Sequence, residues 1–101
     1  MTDTVAVTDN QDAAQFEARV GGDVAELTYR LRPGRLVLIH TEVPEELAGH
    51  GVGGRLVRAS LDRAAREGLT IVPLCPFARR WLGDHPDEIG GVGVDWKAAG
   101  S

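Results

Sequence analysis

Only one cysteine stands in the chain, Cys75, so no disulfide can close within it, and a reducing, cytoplasmic setting is expected. No apolar run approaches the ~18 residues of a membrane-spanning helix, and no membrane partner is expected. Positive charge is short as well. The 11 Lys and Arg face 15 Asp and Glu for a net charge of −4. A general nucleic-acid binder needs the opposite excess to neutralise phosphates, so nucleic acid is not an expected partner. The N-terminal stretch is acidic and lacks the basic-then-apolar pattern of a secretory leader. Repeats and internal linkers are missing too. The 101 residues allow one small domain with a thin core, expected to be a monomer or weak dimer.

The first half alternates as strands do. Val5 and Val7 alternate with small polar residues as a short edge strand, and residues 9–12 read as a turn, so residues 1–14 form an N-terminal edge unit. Residues 15–20 put Phe16, Ala18 and Val20 on one face. Gly21-Gly22-Asp23 suits a hairpin turn. Residues 25–31 put Ala25, Leu27, Tyr29 and Leu31 on one face, and Pro33-Gly34 is a second turn. Residues 35–43 have an apolar centre, Leu36-Val37-Leu38-Ile39, which predicts a central strand covered on both sides. Strict alternation along it gives Leu36, Leu38, His40 and Glu42 one common face. Three strands joined by tight turns make an antiparallel meander.

Beyond Pro44 the period becomes helical. From Val52 to Glu67, Val57, Leu61, Ala64 and Ala65 line an apolar stripe with Leu56 beside it. Arg55, Arg58, Asp62, Arg63, Arg66 and Glu67 take the wet side, and Gly68 is a natural end. Residues 69–74 read as a strand parallel to residues 35–43, reached by a right-handed crossover. Residues 77–85 read as a short helix with Phe77, Ala78, Trp81 and Leu82 as its stripe, stopped by Pro86. The glycine-rich stretch from Gly90 is expected to fray, with Trp96 as its one anchor, and residues 87–101 form a flexible tail. The fold class is α/β: an antiparallel meander, a parallel strand after a crossover helix, and two main helices.

The feature that carries chemistry is a strand, then a glycine-rich loop, then a helix. A helix N-terminus offers unpaired N–H groups and about half a positive charge. Gly49, Gly51, Gly53 and Gly54 let a backbone approach an anion closely, or let helices and sheet pack closely; the pattern alone permits both. It is not a Walker A loop, because Arg55-Leu56 follows Gly54 where Lys-Ser/Thr is required. Nor is it a dinucleotide fingerprint, which follows the first strand of a parallel sheet.

Four segments, ELTYRL, HTEVPEELAGHGVGGRLVRASLDRAAREGL, IVPLCPF and RRWLGDHP, together resemble the GNAT superfamily of acetyl-CoA-dependent N-acetyltransferases, more narrowly its short single-domain family. The resemblance spans residues 15–86, the expected domain. The family's phosphate motif, Gln/Arg-x-x-Gly-x-Gly/Ala, falls on Ala48-Gly49-His50-Gly51-Val52-Gly53, with Ala48 in the polar first position. The resemblance implies acetyl-CoA as cosubstrate, its pyrophosphate on the amides of His50–Gly54 and Arg55 within reach. It also implies a pantetheine arm lying like a strand between residues 35–43 and 69–74. The acetyl carbonyl then lies by the backbone of Thr41 and Val43. The implied reaction is transfer to a primary amine, either a protein lysine or a polyamine-like molecule, by direct attack. The alternative is an acyl-CoA-binding or interaction module without catalysis.

Acid–base work needs groups at the end of the 35–43 strand, and His40 and Glu42 are the candidates, each equally readable as an ordinary surface or satisfied side chain. Cys75 ends the second strand, where it is placed to protonate a leaving thiolate, to carry the acetyl group or simply to pack. Larger relatives of the superfamily carry a tyrosine acid after this region. The only tyrosine here, Tyr29, stands on an earlier strand. His50 is a further phosphate donor or a solvent-facing residue, Arg58 a coenzyme-phosphate contact or, more commonly, a solvated arginine, His85 a helix-end residue, and Trp81 more often a core aromatic than a ligand platform. No metal ligand set is expected.

Overall fold

A computed structural model describes residues 6–97 of the chain. Four antiparallel strands come first: β1 (Val7–Asn10), β2 (Gln15–Val20), β3 (Asp23–Arg32) and β4 (Arg35–Glu42). A 3₁₀ turn at Glu45–Leu47 leads into α1 (Val52–Glu67). Next come β5 (Thr70–Pro73), α2 (Pro76–Asp84) and the single turn α3 (Pro86–Ile89). The five strands form one sheet in sequence order, with only β4 and β5 parallel. This is the α/β meander-plus-crossover architecture expected.

One face of the sheet carries the core. Phe16 and Ala18, Ala25, Leu27 and Tyr29, Leu36 and Leu38, and Ile71 meet Leu56, Val57, Leu61 and Ala64 of α1. Ala78 and Leu82 of α2 join the same cluster. Leu27, Leu36, Leu38 and Leu56 are wholly buried, and each such side chain contributes roughly 1.5–3 kcal/mol through the water it no longer meets.

Several details depart from the sequence reading. Val5 lies outside the described residues, and β1 takes in Asp9 and Asn10, which had read as turn. Leu31 keeps the core face, opposite buried Leu36, but is exposed near the end of β3. Val37 and Ile39 are only half-buried, so β4 is not covered equally on its two sides. Arg63 is buried rather than wet, while Ala65 is exposed. Residues 90–97 run beside the outer edge of β5. Ile71 N–H donates to Gly93 O at 2.9 Å and Asp95 N–H donates to Ile71 O at 2.8 Å. Arg35 pairs with Asp95 at 2.7 Å, and Arg79 donates to the Trp96 carbonyl at 3.2 Å. This stretch therefore has defined backbone partners where fraying had been expected.

Arg63 anchors the far edge. Its guanidinium reaches Asp9 at 2.8 Å, the Tyr29 hydroxyl at 2.9 Å and Glu67 at 3.2 Å. Tyr29 in turn donates to Asp9 at 2.6 Å. Burial, with the Asp9 carboxylate beside it, pushes the Tyr29 hydroxyl up to about 12. Burial works against the Arg63 charge, yet Asp9, Tyr29 and Glu67 outweigh it and raise its pKa. On the opposite face of the sheet, Glu17 accepts from Gln15 at 2.6 Å and Asn10 at 3.1 Å, which, with the Arg19 charge, hold its carboxyl below the usual range.

Candidate functional site

The decisive local event lies in the middle of β4. Tyr29 pairs with Leu38 and Thr28 pairs with His40, so Ile39 is one extra residue on β4, a β-bulge. One inserted residue reverses the side-chain alternation beyond it. Thr41, paired with buried Leu27, therefore continues the face of Leu36 and Leu38. His40 and Glu42 turn to the opposite face, where their side chains are 65% and 72% exposed with 3.6 Å between them. The expectation that His40 and Glu42 share a face with Leu36 and Leu38 is thus corrected.

At the same level β4 and β5 part company. Their parallel register runs from Arg35 opposite Thr70 to Leu38 opposite Pro73. Leu74 N–H and Cys75 N–H both donate to Leu38 O, at 3.0 and 2.9 Å, as β5 turns away into α2. A gap opens between the continuing end of β4 and the start of α2. Across it Thr41 Oγ1 and Cys75 Sγ share a hydrogen bond at 3.0 Å, and Cys75 is buried.

The glycine-rich loop approaches the same place. Gly51 is the N-cap of α1 at φ 73°, a left-handed conformation that glycine takes without steric cost. No side chain caps this helix end, and its first turn carries no acidic residue. The N–H groups of Val52, Gly53 and Gly54 lie in the first helical turn and have no carbonyl one turn earlier in the helix. Gly49 and Gly51 face open space, whereas Gly53 and Gly54 are buried under α2. A Cβ on Gly53 would meet the Phe77 ring at 2.6 Å, and one on Gly54 would meet Trp81 Nε1 at 2.6 Å. Both readings of the glycines thus apply to different members of the set: Gly49 and Gly51 shape the loop, Gly53 and Gly54 admit two aromatic rings.

These elements enclose a cavity of about 680 Å³. Thr41 and Val43 line it at the strand end, Leu47, Ala48, Gly49 and Gly51 in the loop, and Val52, Gly53, Gly54 and Arg58 on α1. Phe77, Trp81 and His85 form its α2 wall. Of the ten residues expected to hold the coenzyme, Thr41, Val43, Ala48, Gly49, Gly51, Val52, Gly53 and Gly54 meet here. His50 and Arg55 do not line it: His50 is exposed, and Arg55 faces a separate small depression beside Val7 and Asp62. Cys75 lies behind Thr41 rather than on the cavity surface.

Sequence reasoning missed the α2 wall. Phe77, Trp81 and His85 are spaced i, i+4, i+8, and that stripe was the available signal. Trp81 stacks on His85 with ring centroids 4.1 Å apart and an interplanar angle of 14°. His85 Nδ1 lies 2.8 Å from the Trp81 carbonyl. Arg58 stands over the Trp81 ring at 5.2 Å and is held by Glu88 through two contacts, at 3.2 and 3.3 Å. Among the described residues no group of three or more His, Cys, Asp or Glu comes together as metal ligands, and no helix is long and apolar enough to cross a membrane.

A strand that bulges and splays from its parallel neighbour, followed by an uncapped glycine-rich helix start, has relatives among known proteins. The chain is 32% identical over 85 residues to protein NATD1 of Mus musculus, covering 81% of this chain and 77% of that protein. Identity to protein NATD1 of Gallus gallus is also 32% over 85 residues, with the same coverage. With protein NATD1 of Homo sapiens it is 35% over 75 residues, 71% of this chain and 66% of the relative. A family model described as GCN5-related N-acetyl-transferase matches residues 15–90, a stretch that holds the bulge, the loop and the α2 wall together. The chain therefore belongs to the GCN5-related N-acetyltransferase family.

Proposed function

We propose that the chain transfers an acetyl group from acetyl-CoA to a primary amine by direct attack. The observation that carries this reading is the continuity of one cavity from the bulged end of β4 to the open N-terminus of α1. A pyrophosphate suits a helix start whose N–H groups are unclaimed and whose loop glycines keep side chains out of the way. A pantetheine arm carries alternating amide donors and acceptors. It suits the edge of β4 beyond Leu38, where β5 no longer pairs, as an added strand. The cavity then directs the acyl end to the gap beside Thr41 and Cys75.

His40 and Glu42 flank Thr41 on β4 and stand exposed on the face of the sheet opposite the cavity. An amine arriving there must lose a proton to attack the thioester carbon. Glu42, with His40 beside it, takes that proton directly or through water. The new C–N bond forms, the C–S bond breaks, and the second proton shed by the acylated nitrogen passes to the departing coenzyme thiolate, directly or through water. Cys75 packs behind Thr41 and is not itself acylated: although it stands at the N-terminus of α2, its thiol is buried against the Thr41 hydroxyl, away from the cavity surface and with no cation or histidine as partner among the described residues. The face around His40 and Glu42 is open, which suits a protein lysine or a polyamine-like acceptor.

A second reading, an acyl-CoA-binding module without turnover, draws on the same two residues: both are largely exposed, so neither is enclosed as catalytic bases commonly are. Two measurements separate the readings. Coenzyme A titrated into labelled protein should first shift the amides of Gly51–Gly54. Thioester consumption with a panel of amines should rise with pH as more amine becomes neutral. Glu42→Gln should lower turnover about 100-fold while leaving coenzyme affinity within twofold. Binding without turnover on any amine establishes the module instead, and absence of binding removes both.

A further inference from the structure

In the family's phosphate motif the first position is polar, and here it is Ala48, which offers no side-chain donor. His50 faces solvent outside the cavity. Four cavity-lining side chains carry donor groups: Thr41, Arg58, Trp81 and His85. Thr41 is engaged with Cys75, and His85 Nδ1 with the Trp81 carbonyl. Arg58 is turned to Glu88. Trp81 Nε1–H has no hydrogen-bond partner among the described residues and is not sealed from the cavity, so this donor-only group is left to water or to a ligand there.

The place of that N–H is specific. Trp81 Nε1 is the nearest atom to where a Gly54 side chain would begin, 2.6 Å from the Cβ position. It therefore sits against the first turn of α1, beside the unclaimed N–H groups of Val52–Gly54. The indole is also held in place: His85 stacks on it, Arg58 stands over the ring, and Glu88 fixes Arg58. Glycine at 54 is what admits the ring so close to the helix backbone.

Resting on the coenzyme reading above, we propose that Trp81 is a coenzyme-binding residue. Its Nε1–H donates to a phosphate oxygen of the pyrophosphate group and supplies the side-chain arm of the anion site that Ala48 lacks. The site thus takes its backbone donors from α1 and its side-chain donor from α2.

Trp81 and Trp96 give two indole N–H resonances in a ¹H–¹⁵N spectrum. With coenzyme A, the Trp81 resonance should move in step with the amides of Gly51–Gly54 while that of Trp96 stays. Trp81→Phe keeps an aromatic ring but removes the donor, and should raise the coenzyme A Kd about tenfold, the usual weight of a hydrogen bond to a charged group. An unmoved Trp81 indole alongside shifted Gly51–Gly54 amides overturns the assignment and leaves the coenzyme reading standing. So does a Trp81→Phe Kd within twofold of the original. The indole readout uses the unmodified protein and holds even where the variant folds poorly. No shift at Gly51–Gly54 in that protein defeats the coenzyme reading itself, and the role of Trp81 with it.

Discussion

At its C-terminal end α1 is closed by its own chain. Gly68 adopts φ 68° and donates to Ala64 O, as does Leu69 N–H at 2.9 Å. One turn earlier Arg63 spends its guanidinium on Asp9, Tyr29 and Glu67. At the N-terminal end no side chain caps the helix, the loop turns through left-handed glycine, and a cavity stands before the first N–H groups. The same 16 residues thus carry one end whose polar groups are satisfied internally and one end left for something else. Burial of an unsatisfied polar group costs about 1–3 kcal/mol. A helix start left uncapped beside a cavity leaves its N–H groups to water or to the proposed coenzyme, whereas the C-terminal end meets that cost within the fold.

If that division is real, damage at each end should have a different signature. The largest expected effect is Arg63→Ala, which leaves Asp9 and the Tyr29 hydroxyl without their cation. It should cost about 3 kcal/mol of unfolding free energy, measured by urea. Coenzyme A affinity of the protein that remains folded should stay within twofold; a larger loss means the two ends are coupled.

Gly53→Val attacks the other end. Its Cβ meets the Phe77 ring, whose far edge must move into the cavity. Coenzyme A affinity should fall at least tenfold, about 1.4 kcal/mol, by isothermal titration. Crowding of this kind also lowers stability, by about 1–3 kcal/mol. Unchanged affinity in a folded variant contradicts the assignment of this end to the coenzyme.

The closed end should also answer to pH. The Tyr29 hydroxyl titrates near 10 in the unfolded chain and at about 12 in the fold. Between those values the unfolded state has lost its proton and the native state has kept it, so stability falls as pH rises through this window. Below pH 10 the contribution is fully present. Tyr29→Phe should flatten the alkaline loss and cost about 1 kcal/mol at neutral pH, since Asp9 and Glu67 still hold Arg63. An alkaline profile identical in the variant removes Tyr29 from the argument.

The closed end was partly legible in the sequence and was misread through residue identity. Arg63 follows Leu56 by seven residues, two helical turns, so it shares the buried side of α1; it was placed in water because it is charged. The strands, their turns, α1 and its glycine stop follow from periodicity, because burial of one face imposes period 2 or 3.6. The bulge at Ile39 does not. Leu36-Val37-Leu38-Ile39 is apolar at every position, so no alternation marks the extra residue, and everything after it was assigned to the wrong face. The loop was marked by its glycines, but their division was not legible: glycine spacing does not tell Gly49 and Gly51, which shape the loop, from Gly53 and Gly54, which admit the Phe77 and Trp81 rings. The α2 wall was not, since Phe77 and Trp81 at helical spacing read equally well as core.

Cys75→Ser gives the smallest expected effect and the sharpest test of how the gap works. Cys75 Sγ lies 3.0 Å from Thr41 Oγ1, behind the cavity wall. A serine hydroxyl keeps a hydrogen bond to Thr41 but is smaller than the thiol, and the slack should cost no more than about 1 kcal/mol of stability. The N–H groups at the start of α1 are untouched, so coenzyme A affinity should stay within twofold. Under direct attack the variant retains transfer, because no bond to residue 75 forms at any step. Intact-protein mass spectrometry after mixing with acetyl-CoA should show no acetyl group on Cys75. An adduct that forms as fast as turnover, disappears on adding amine and is missing in the serine variant would replace direct attack with a two-step route. The thiol would then have to leave Thr41 and reach the cavity surface, and the closed pairing across the gap would be a resting state rather than the working one.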